Sequence, residues 1–176
     1  MLELSILGFL YEESMHAYEL RQRISGLSGH IRPVSDGALY PAINRLRVAG
    51  LLDKQTDPAT GRQLLSLTEA GRAELLRRLR TPSDLEITDR NNFFTLLAFL
   101  GYLTDPAEQA AVLRRRLTFY EQPASWFYDQ GRPLRAAEMT DRFRRGMLTL
   151  GAATRRADKE WLRTQIAELE QQSNPA

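Results

Sequence analysis

Several polar side chains within one short stretch of the chain are of types that bind nucleic acid. Asn44 lies one helical turn after Tyr40, and Arg45 and Arg47 follow it closely. An asparagine amide pairs with an adenine edge, an arginine guanidinium pairs with a guanine edge or a phosphate, and a tyrosine hydroxyl binds a phosphate oxygen. The alternative interpretation is an ordinary solvated helix face, so the elements around these residues must decide between the two.

Few residues could form a catalytic or metal site. The chain has no cysteine and only two histidines, His16 and His30, which removes thiol chemistry, cysteine zinc sites and most histidine centres. Carboxylates are paired at Glu12 and Glu13, but no nucleophile or phosphate-binding loop accompanies them. We therefore predict no catalytic residue, no metal, no cofactor and a protein that is not an enzyme.

The composition is that of an ordinary globular protein with an unusual choice of basic residue. Of the 176 residues, 43% are hydrophobic and 26% are charged, and the net charge is +2. Lys54 and Lys159 are the only lysines among 24 basic residues. The planar fork of arginine suits phosphates and guanine edges, although an arginine-biased genome would produce the same composition.

No segment suggests secretion or insertion into a membrane. Glu3 interrupts the N-terminus before any apolar run begins. The longest apolar run, Phe93–Leu103, has about half of the ~20 residues that a membrane-spanning helix needs, so it predicts a buried helix. We expect a cytoplasmic protein with no membrane partner.

Hydrophobic periodicity in the first 80 residues predicts three helices, two strands and a fourth helix. The predicted elements are a largely buried helix in MLELSILGFLYEE, a helix capped by Ser14 that runs to about Leu27 and is ended by Gly26 and Gly29, a helix capped by Ser35 or Asp36 that stops at Gly50, the strand-like runs LLDKQTD and RQLLSL, and a helix capped by Thr68. This order is that of a winged helix-turn-helix, in which the third helix enters the DNA major groove and the hairpin wing follows the neighbouring backbone.

Pro41 is unusual because it falls inside the predicted third helix. Its missing N–H would leave a carbonyl near Gly37 without an intrahelical donor and disturb the first turn. A surface that brings the backbone close to DNA could use this property. The alternative is that the helix begins after Pro41.

The second half of the chain is predicted to be helical beyond a linker at Thr81–Leu85. Asp105 and Pro106 form a strong helix start, and this helix is expected to run to about Tyr128. A final helix is expected over Leu134–Gln171. The predicted fold is thus mainly α with a small two-stranded β wing, formed by a winged helix-turn-helix DNA-binding domain over residues 1–80 and an α-helical dimerisation domain over residues 86–172.

Two sets of residues in this second half have candidate roles. We predict that a homodimer forms through an apolar stripe of the last helix, although the stripe could instead pack within its own chain. The aromatic residues could be core or could bind a small aromatic effector. The dimer candidates are Trp161, Leu162, Ile166 and Leu169, and the effector candidates are Phe119, Tyr120, Trp126, Phe127 and Tyr128.

Three segments of the first half together resemble the PadR family of bacterial transcriptional regulators. They are HAYEL, SDGALYPAINRLRVAGLL and GRQLLSLTEAGRAEL, in the order and spacing of that family between Leu4 and Leu79. The second half, from RNNFFTLLAFLGYL onward, is similar to the longer-tailed branch of the family, though less closely.

The resemblance implies a homodimer that binds a palindromic operator in double-stranded DNA, usually as a repressor. It implies that Tyr18 contacts a phosphate. The residues that it places at the groove are Ser35, Tyr40, Pro41, Asn44 and Arg45, and those that it places at the wing are Arg62 and Gln63. The chain departs from the family pattern at Ala17, where glycine is frequent, at Arg47, where an acidic residue is common, and at Leu65, where an aromatic residue is usual.

A second class of function fits the same fold. Winged helices also serve as docking modules for other proteins, without binding DNA. Salt dependence separates the two, because phosphate contacts weaken steeply as the salt concentration rises.

Overall fold

The structure is a computed structural model that describes residues 1–27, 33–58, 61–123 and 125–173. It divides into two compact units, Met1–Thr104 and Asp105–Ala176. The first unit contains, in chain order, α1 (Leu2–Glu12), β1 (Met15–His16), α2 (Ala17–Leu27), α3 (Asp36–Val48), β2 (Leu52–Thr56), β3 (Gln63–Leu67), α4 (Glu69–Arg80), α5 (Asp84–Thr88), α6 (Arg90–Phe99) and a 3-10 turn over Leu100–Tyr102.

This order confirms the predicted mainly helical fold with a small β wing. The wing is the antiparallel hairpin of β2 and β3, and the short strand β1 adds a third strand on the other side of β3. Ser14, predicted to cap the second helix, lies before β1 instead. The helix starts at Ala17, where the Glu19 carboxylate accepts the backbone N–H of His16 at 3.1 Å. Gly29, expected beyond its end, lies outside the described residues.

The core of the first unit forms around α1, which is apolar on nearly all sides. The apolar stripes of α2, α3 and α4 are buried along with it, as the helical periodicity requires. The core residues of these four helices are Leu4, Ile6, Leu7, Leu10, Leu20, Ile24, Leu39, Ala42, Ile43, Leu46, Leu75 and Leu79. Burial of each leucine or isoleucine contributes about 1.5–3 kcal/mol, so these stripes determine which faces of the helices remain outside.

The segment predicted as a linker begins a helix instead. Ser83 and Glu86 form a capping box, in which the Ser83 backbone N–H donates to the Glu86 carboxylate at 2.7 Å. The α6 helix that follows packs on α1, with the rings of Phe9 and Phe99 edge to face at 5.2 Å. The compact unit therefore extends to Thr104, beyond the predicted boundary near residues 80–86.

The second unit consists of two long helices and a short hairpin. Its elements are α7 (Pro106–Glu121), β4 (Tyr128–Asp129), β5 (Arg132–Pro133), a 3-10 turn over Ala136–Glu138 and α8 (Arg142–Ser173). The α7 helix starts as predicted, with Asp105 accepting the Ala107 N–H at 2.8 Å. Within the parts of the chain that the structure describes, no helix is long and apolar enough to cross a membrane.

Both predicted boundaries inside this unit are corrected. The α7 helix ends at Glu121 instead of Tyr128, because Gln122 precedes Pro123 and takes an extended conformation, which a residue before proline favours. The α8 helix starts at Arg142 instead of Leu134. The Asp141 carboxylate caps it by accepting from the backbone N–H groups of Phe143 and Arg144 at 3.0 and 2.8 Å.

Gly71 is required where the wing joins α4. Thr68 caps α4 by accepting the Gly71 N–H at 3.0 Å, and this turn packs directly on the chain that enters β2. A Cβ atom at Gly71 would lie 2.1 Å from the Leu51 carbonyl oxygen and 2.7 Å from a Leu67 methyl carbon. The carbonyl belongs to the backbone, so it has little room to move.

We therefore expect Gly71→Ala to lower the free energy of unfolding of the first unit by about 2 kcal/mol through overpacking. Urea denaturation followed by circular dichroism measures this loss. Gly101→Ala is the control, since a Cβ at Gly101 would have no atom within 4 Å. Equal stability of the Gly71→Ala and Gly101→Ala variants would contradict the prediction.

Candidate nucleic-acid interface

The first unit has a concave cavity of about 310 Å³, which is surrounded by α2, α3 and the wing. It unites four residues that the sequence analysis selected from three separate elements: Tyr18, Tyr40, Arg62 and Gln63. The full lining is His16, Ala17, Tyr18, Tyr40, Ile43, Lys54, Arg62, Gln63 and Leu65. We refer to this surface as the α2–α3–wing groove.

The groove has the character of a site for an anion. Lys54 and Arg62 supply positive charge, and none of the described residues that line it is acidic. Tyr18 and Tyr40 are 59% and 55% exposed, so their rings stand at the surface instead of in the core. The groove therefore offers cationic and hydroxyl groups to a molecule that approaches from solvent.

Neighbours on α2 orient Tyr18. The Gln22 amide donates to the Tyr18 hydroxyl at 2.7 Å, and the Arg21 guanidinium lies over the ring, 5.6 Å from its centroid. The hydroxyl accepts the Gln22 bond and so retains its own O–H for a further acceptor. The side chain is thus held as a donor at the edge of the groove.

The outer face of α3 carries the residues predicted to meet DNA. Asn44 and Pro41 are exposed along its centre, opposite the buried stripe. The helix starts at Asp36 and runs through Pro41, which settles the earlier alternative in favour of a proline inside the helix. Ser35 occupies the N-cap position and is exposed, but its side chain makes no capping hydrogen bond.

The two arginines on α3 take different places. Arg47 donates to the Asn44 side-chain oxygen at 3.1 Å and so belongs to the outer face. Arg45 lies on the flank away from the groove, where its Nε donates to the Glu3 carboxylate at 3.0 Å. Glu3 also pairs with Arg78 at 3.4 Å. The structure therefore separates Arg45 from the other predicted contacts.

His16 and Lys54 line the groove although the sequence analysis did not select them. The sequence contained a signal for each of them. His16 belongs to the HAYEL segment that carries the family resemblance, and Lys54 is one of only two lysines in the chain. On β2, strand alternation sends Asp53 and Gln55 to the opposite face from Lys54. There the Gln55 amide, followed by the Lys54 backbone N–H, lowers the pKa of Asp53.

The predicted dimer residues on α8 have unequal environments. Leu162 and Ile166 are buried within their own unit, in line with the alternative that the stripe packs inside its own chain. Leu169 is half-buried, and Trp161 is 43% exposed. A different apolar stripe of α8 remains exposed at alternating spacings of three and four residues. It consists of Phe143, Met147 and Leu150.

The predicted aromatic cluster divides into separate environments, because α7 ends before Trp126. Tyr120 is buried, where its hydroxyl accepts from Arg116 at 2.5 Å and donates to Asp158 at 2.7 Å. Burial, together with the Asp158 acceptor, raises the pKa of Tyr120. Phe119 lies beside it, with ring centroids 5.6 Å apart, so this pair helps to hold α7 against α8.

Trp126 lies at a second place, directly on Gly151 of α8. A Cβ at Gly151 would be 2.2 Å from the indole ring, so only glycine allows this approach. Beside the ring is a cavity of about 240 Å³. Its lining is Ser125, Trp126, Leu134, Arg135, Ala136, Leu148, Gly151, Ala152 and Arg155. Tyr128 is outside this lining and exposed, with its hydroxyl near the Ser125 N–H at 3.3 Å.

The fold and the groove define a winged helix-turn-helix protein. Residues 6–77 match the model of the transcriptional regulator PadR-like family. None of the curated proteins matches the chain.

Solved structures of PadR-like transcriptional regulators show distant similarity to the chain. A PadR-like transcriptional regulator from Bacillus cereus is 19% identical over 98% of this chain and 99% of its own, with a TM-score of 0.41. PadR from Bacillus subtilis in complex with operator DNA is 17% identical over 96% of this chain and 98% of its own, with a TM-score of 0.44. The same Bacillus protein in complex with p-coumaric acid covers the same shares at 17% identity, with a TM-score of 0.43.

Proposed function

We propose that the protein is a sequence-specific DNA-binding regulator that acts as a homodimeric repressor on a palindromic operator. The observation that carries this proposal is the α2–α3–wing groove. It joins Tyr18, Tyr40, Arg62 and Gln63 on one cationic surface beside the exposed face of α3. In a winged helix, this combination of elements brackets a DNA groove and its phosphates.

Each part of this surface has a separate task in the proposal. Asn44 and Pro41 on α3 enter the major groove, where the asparagine reads an adenine edge. Tyr18, with Ser35 and Tyr40 near the helix starts, contacts phosphates and so fixes the position of α3. Arg62 and Gln63 follow the neighbouring backbone from the wing.

The flanking position of Arg45 supports a role different from base reading. Glu3 already accepts from the Arg45 Nε. For the remaining N–H donors of Arg45, a phosphate at the edge of the site is a nearer partner than a base edge. An exposed ion pair contributes about 0–1 kcal/mol, so exchange of Glu3 for a phosphate is inexpensive. We assign Arg45 to the DNA backbone and Asn44 to the bases.

The competing proposal, a protein-docking module, fits the groove less well. A docking surface usually has an apolar centre depleted of charge, whereas this groove has two cations and exposed hydroxyls. A polyanion suits it better. The experiment below tests the two against each other.

The exposed stripe of α8 supports the dimer. Phe143 and Leu150 are 71% and 72% exposed, and with Met147 they follow the spacing of a helix that packs against another helix. Trp161 continues the same line, because it lies eleven residues, about three turns, beyond Leu150. Two copies packed along this stripe would bury these side chains and hold two winged helices for the half-sites of a palindrome.

The cavity beside Trp126 supports a ligand that releases the repressor. The indole provides a flat apolar wall, and Arg135 and Arg155 provide positive charge at the rim. A planar aromatic molecule with an anionic group matches this lining.

The DNA proposal predicts different losses for two neighbouring variants. A bound fragment is first selected from the genomic DNA of the source organism. Asn44→Ala should then weaken binding to this operator by about tenfold while leaving random DNA nearly unchanged, and Arg45→Ala should weaken both alike. Fluorescence anisotropy measures the four affinities.

The salt dependence of the native chain is the control for DNA binding itself. Between about 50 and 200 mM salt the affinity should fall a thousandfold or more for six or more phosphate contacts. Failure to bind any duplex at low salt would favour the docking module. Equal losses for both variants on both DNAs would contradict the assignment of Asn44.

The dimer proposal predicts that Leu150→Glu produces a monomer, since a carboxylate in an apolar helix interface is left unpaired. Sedimentation equilibrium measures the mass. Thr149→Glu is the matched control, because it adds the same charge at the exposed neighbouring position on another face of α8. A Leu150→Glu variant that remains dimeric would show that this stripe is not the interface.

The ligand proposal predicts saturable quenching of Trp126 by aromatic carboxylates. Trp161→Phe removes the only other tryptophan of the chain, so the fluorescence reports Trp126 alone. The neutral amides of the same compounds are the controls, because they lack the charge that Arg135 and Arg155 would bind. Quenching by acids and amides alike, or by neither, would contradict the proposed site.

A further inference from the structure

His16 connects the start of α2 to both ends of the wing loop. It lies in β1, paired with Leu64 of β3, and its side chain is largely buried, with 20% exposed. The ring Nδ1 is 2.9 Å from the Gln63 carbonyl oxygen, and Nε2 is 3.6 Å from the Asp57 carboxylate. One imidazole thus bridges the residue after β2 and the first residue of β3.

Both partners of this imidazole are acceptors only. A neutral imidazole carries one N–H, which the Gln63 carbonyl would take at Nδ1, and its Nε2 lone pair would then face a carboxylate. The doubly protonated ring donates a hydrogen bond to the Gln63 carbonyl through Nδ1 and forms an ion pair with the Asp57 carboxylate through Nε2. The doubly protonated ring is therefore the form that can serve both partners at once.

The charged groups around His16 come from each element packed against it. Asp57 faces the ring from the wing loop, and Glu19 of α2 accepts the backbone N–H of His16 at 3.1 Å. Lys54 of β2 and Arg62 before β3 line the same groove. Of these groups, the Asp57 carboxylate is the one paired with Nε2, and the two cations belong to the groove lining.

A backbone hydrogen bond connects Asp57, the partner of this ring, to Arg62. The Asp57 backbone N–H donates to the Arg62 carbonyl at 2.8 Å, which closes the wing loop. A ring that holds the Asp57 carboxylate and the Gln63 carbonyl together therefore holds the backbone on both sides of Arg62.

We propose that His16, when doubly protonated, is a positioning residue that fastens the wing to the start of α2 and thereby aims Arg62 and Gln63. This inference rests on the proposed function, because the wing residues matter only if a polyanion occupies the groove. Since histidine side chains change charge between about pH 5 and 8, the contribution of the wing to operator binding becomes pH-dependent.

A double-mutant cycle between His16→Gln and Arg62→Ala tests this coupling. All variants carry His30→Gln, which removes the only other histidine. At about pH 6, Arg62→Ala should weaken operator binding by about tenfold when His16 is present and by threefold or less with His16→Gln, a coupling typical of contacting residues. At about pH 8 the coupling should be smaller than at about pH 6, because a neutral ring keeps only one N–H for its two partners. An equal Arg62→Ala loss in both backgrounds at both pH values would overturn the proposal.

Two variants of the wing separate the contact from general charge effects. Asp57→Asn should abolish the pH dependence of the coupling, whereas Asp53→Asn should preserve it, because Asp53 lies in the same hairpin but bonds to Gln55 at 3.0 Å. If Asp53→Asn acted like Asp57→Asn, the effect would arise from charge in general and the proposal would fail.

A measurement without DNA distinguishes failure of the contact from failure of the proposed function. In nuclear magnetic resonance spectra of the free protein, the backbone amide signals of Arg62 and Gln63 should shift as His16 titrates, and this shift should vanish in Asp57→Asn. Shifts that persist in that variant would overturn the role of His16. Absence of DNA binding with the shifts intact would instead overturn the regulator function.

Discussion

The burial of the apolar stripe of α3 against the core is the constraint on which the proposed DNA interface depends. Leu39, Ala42, Ile43 and Leu46 are all at most 7% exposed. They fix the rotation of the helix about its own axis. Rotating the helix by even one residue position would expose leucine side chains and bury charged ones. This rotation presents Asn44 and Pro41 outward and Tyr40 toward the wing. The interface is thus a consequence of core packing on the opposite side of the same helix.

Several exposed polar residues of α2 and α3 are already paired with other side chains. Arg21 pairs with Asp36 at 2.8 Å, Gln22 with Tyr18, Arg47 with Asn44 and Arg45 with Glu3. Such exposed pairs are weak, at about 0–1 kcal/mol each, yet they restrict the side chains to a few orientations. In the proposed complex with DNA, little conformational entropy would remain to be lost on binding, and the weak pairs would exchange for phosphate oxygens.

The α8 helix shows how one element can serve several surfaces. Leu148, Leu162 and Ile166 form the face that packs within the unit. The stripe of Phe143, Met147 and Leu150 forms an adjacent exposed face, and Gly151 receives the Trp126 ring between them. Hydrophobic periodicity in the sequence does not distinguish these faces, because it reports all the apolar positions of the helix together. That is why the sequence analysis chose Leu162 and Ile166 for the subunit interface although they pack inside their own chain.

What the sequence by itself determined is the local order of the first unit and the start of the second. The helical stripes, the Thr68 cap, the wing strands and the Asp105–Pro106 start are all short-range patterns, and each appears in the structure. Of the residues that line the groove, Tyr40 was selected from residue type and spacing, and Tyr18, Arg62 and Gln63 were selected from the family resemblance. Tertiary structure decided which of them meet. The flank position of Arg45 depends on Glu3, 42 residues away, and the position of His16 depends on a wing loop about as distant in sequence. Such long-range contacts leave no periodicity in the chain, so they could not be predicted from it. The α7 end and the split of the aromatic cluster were missed for a different reason: the restriction that Pro123 imposes on Gln122 was present in the sequence but outweighed by the helical pattern on both sides.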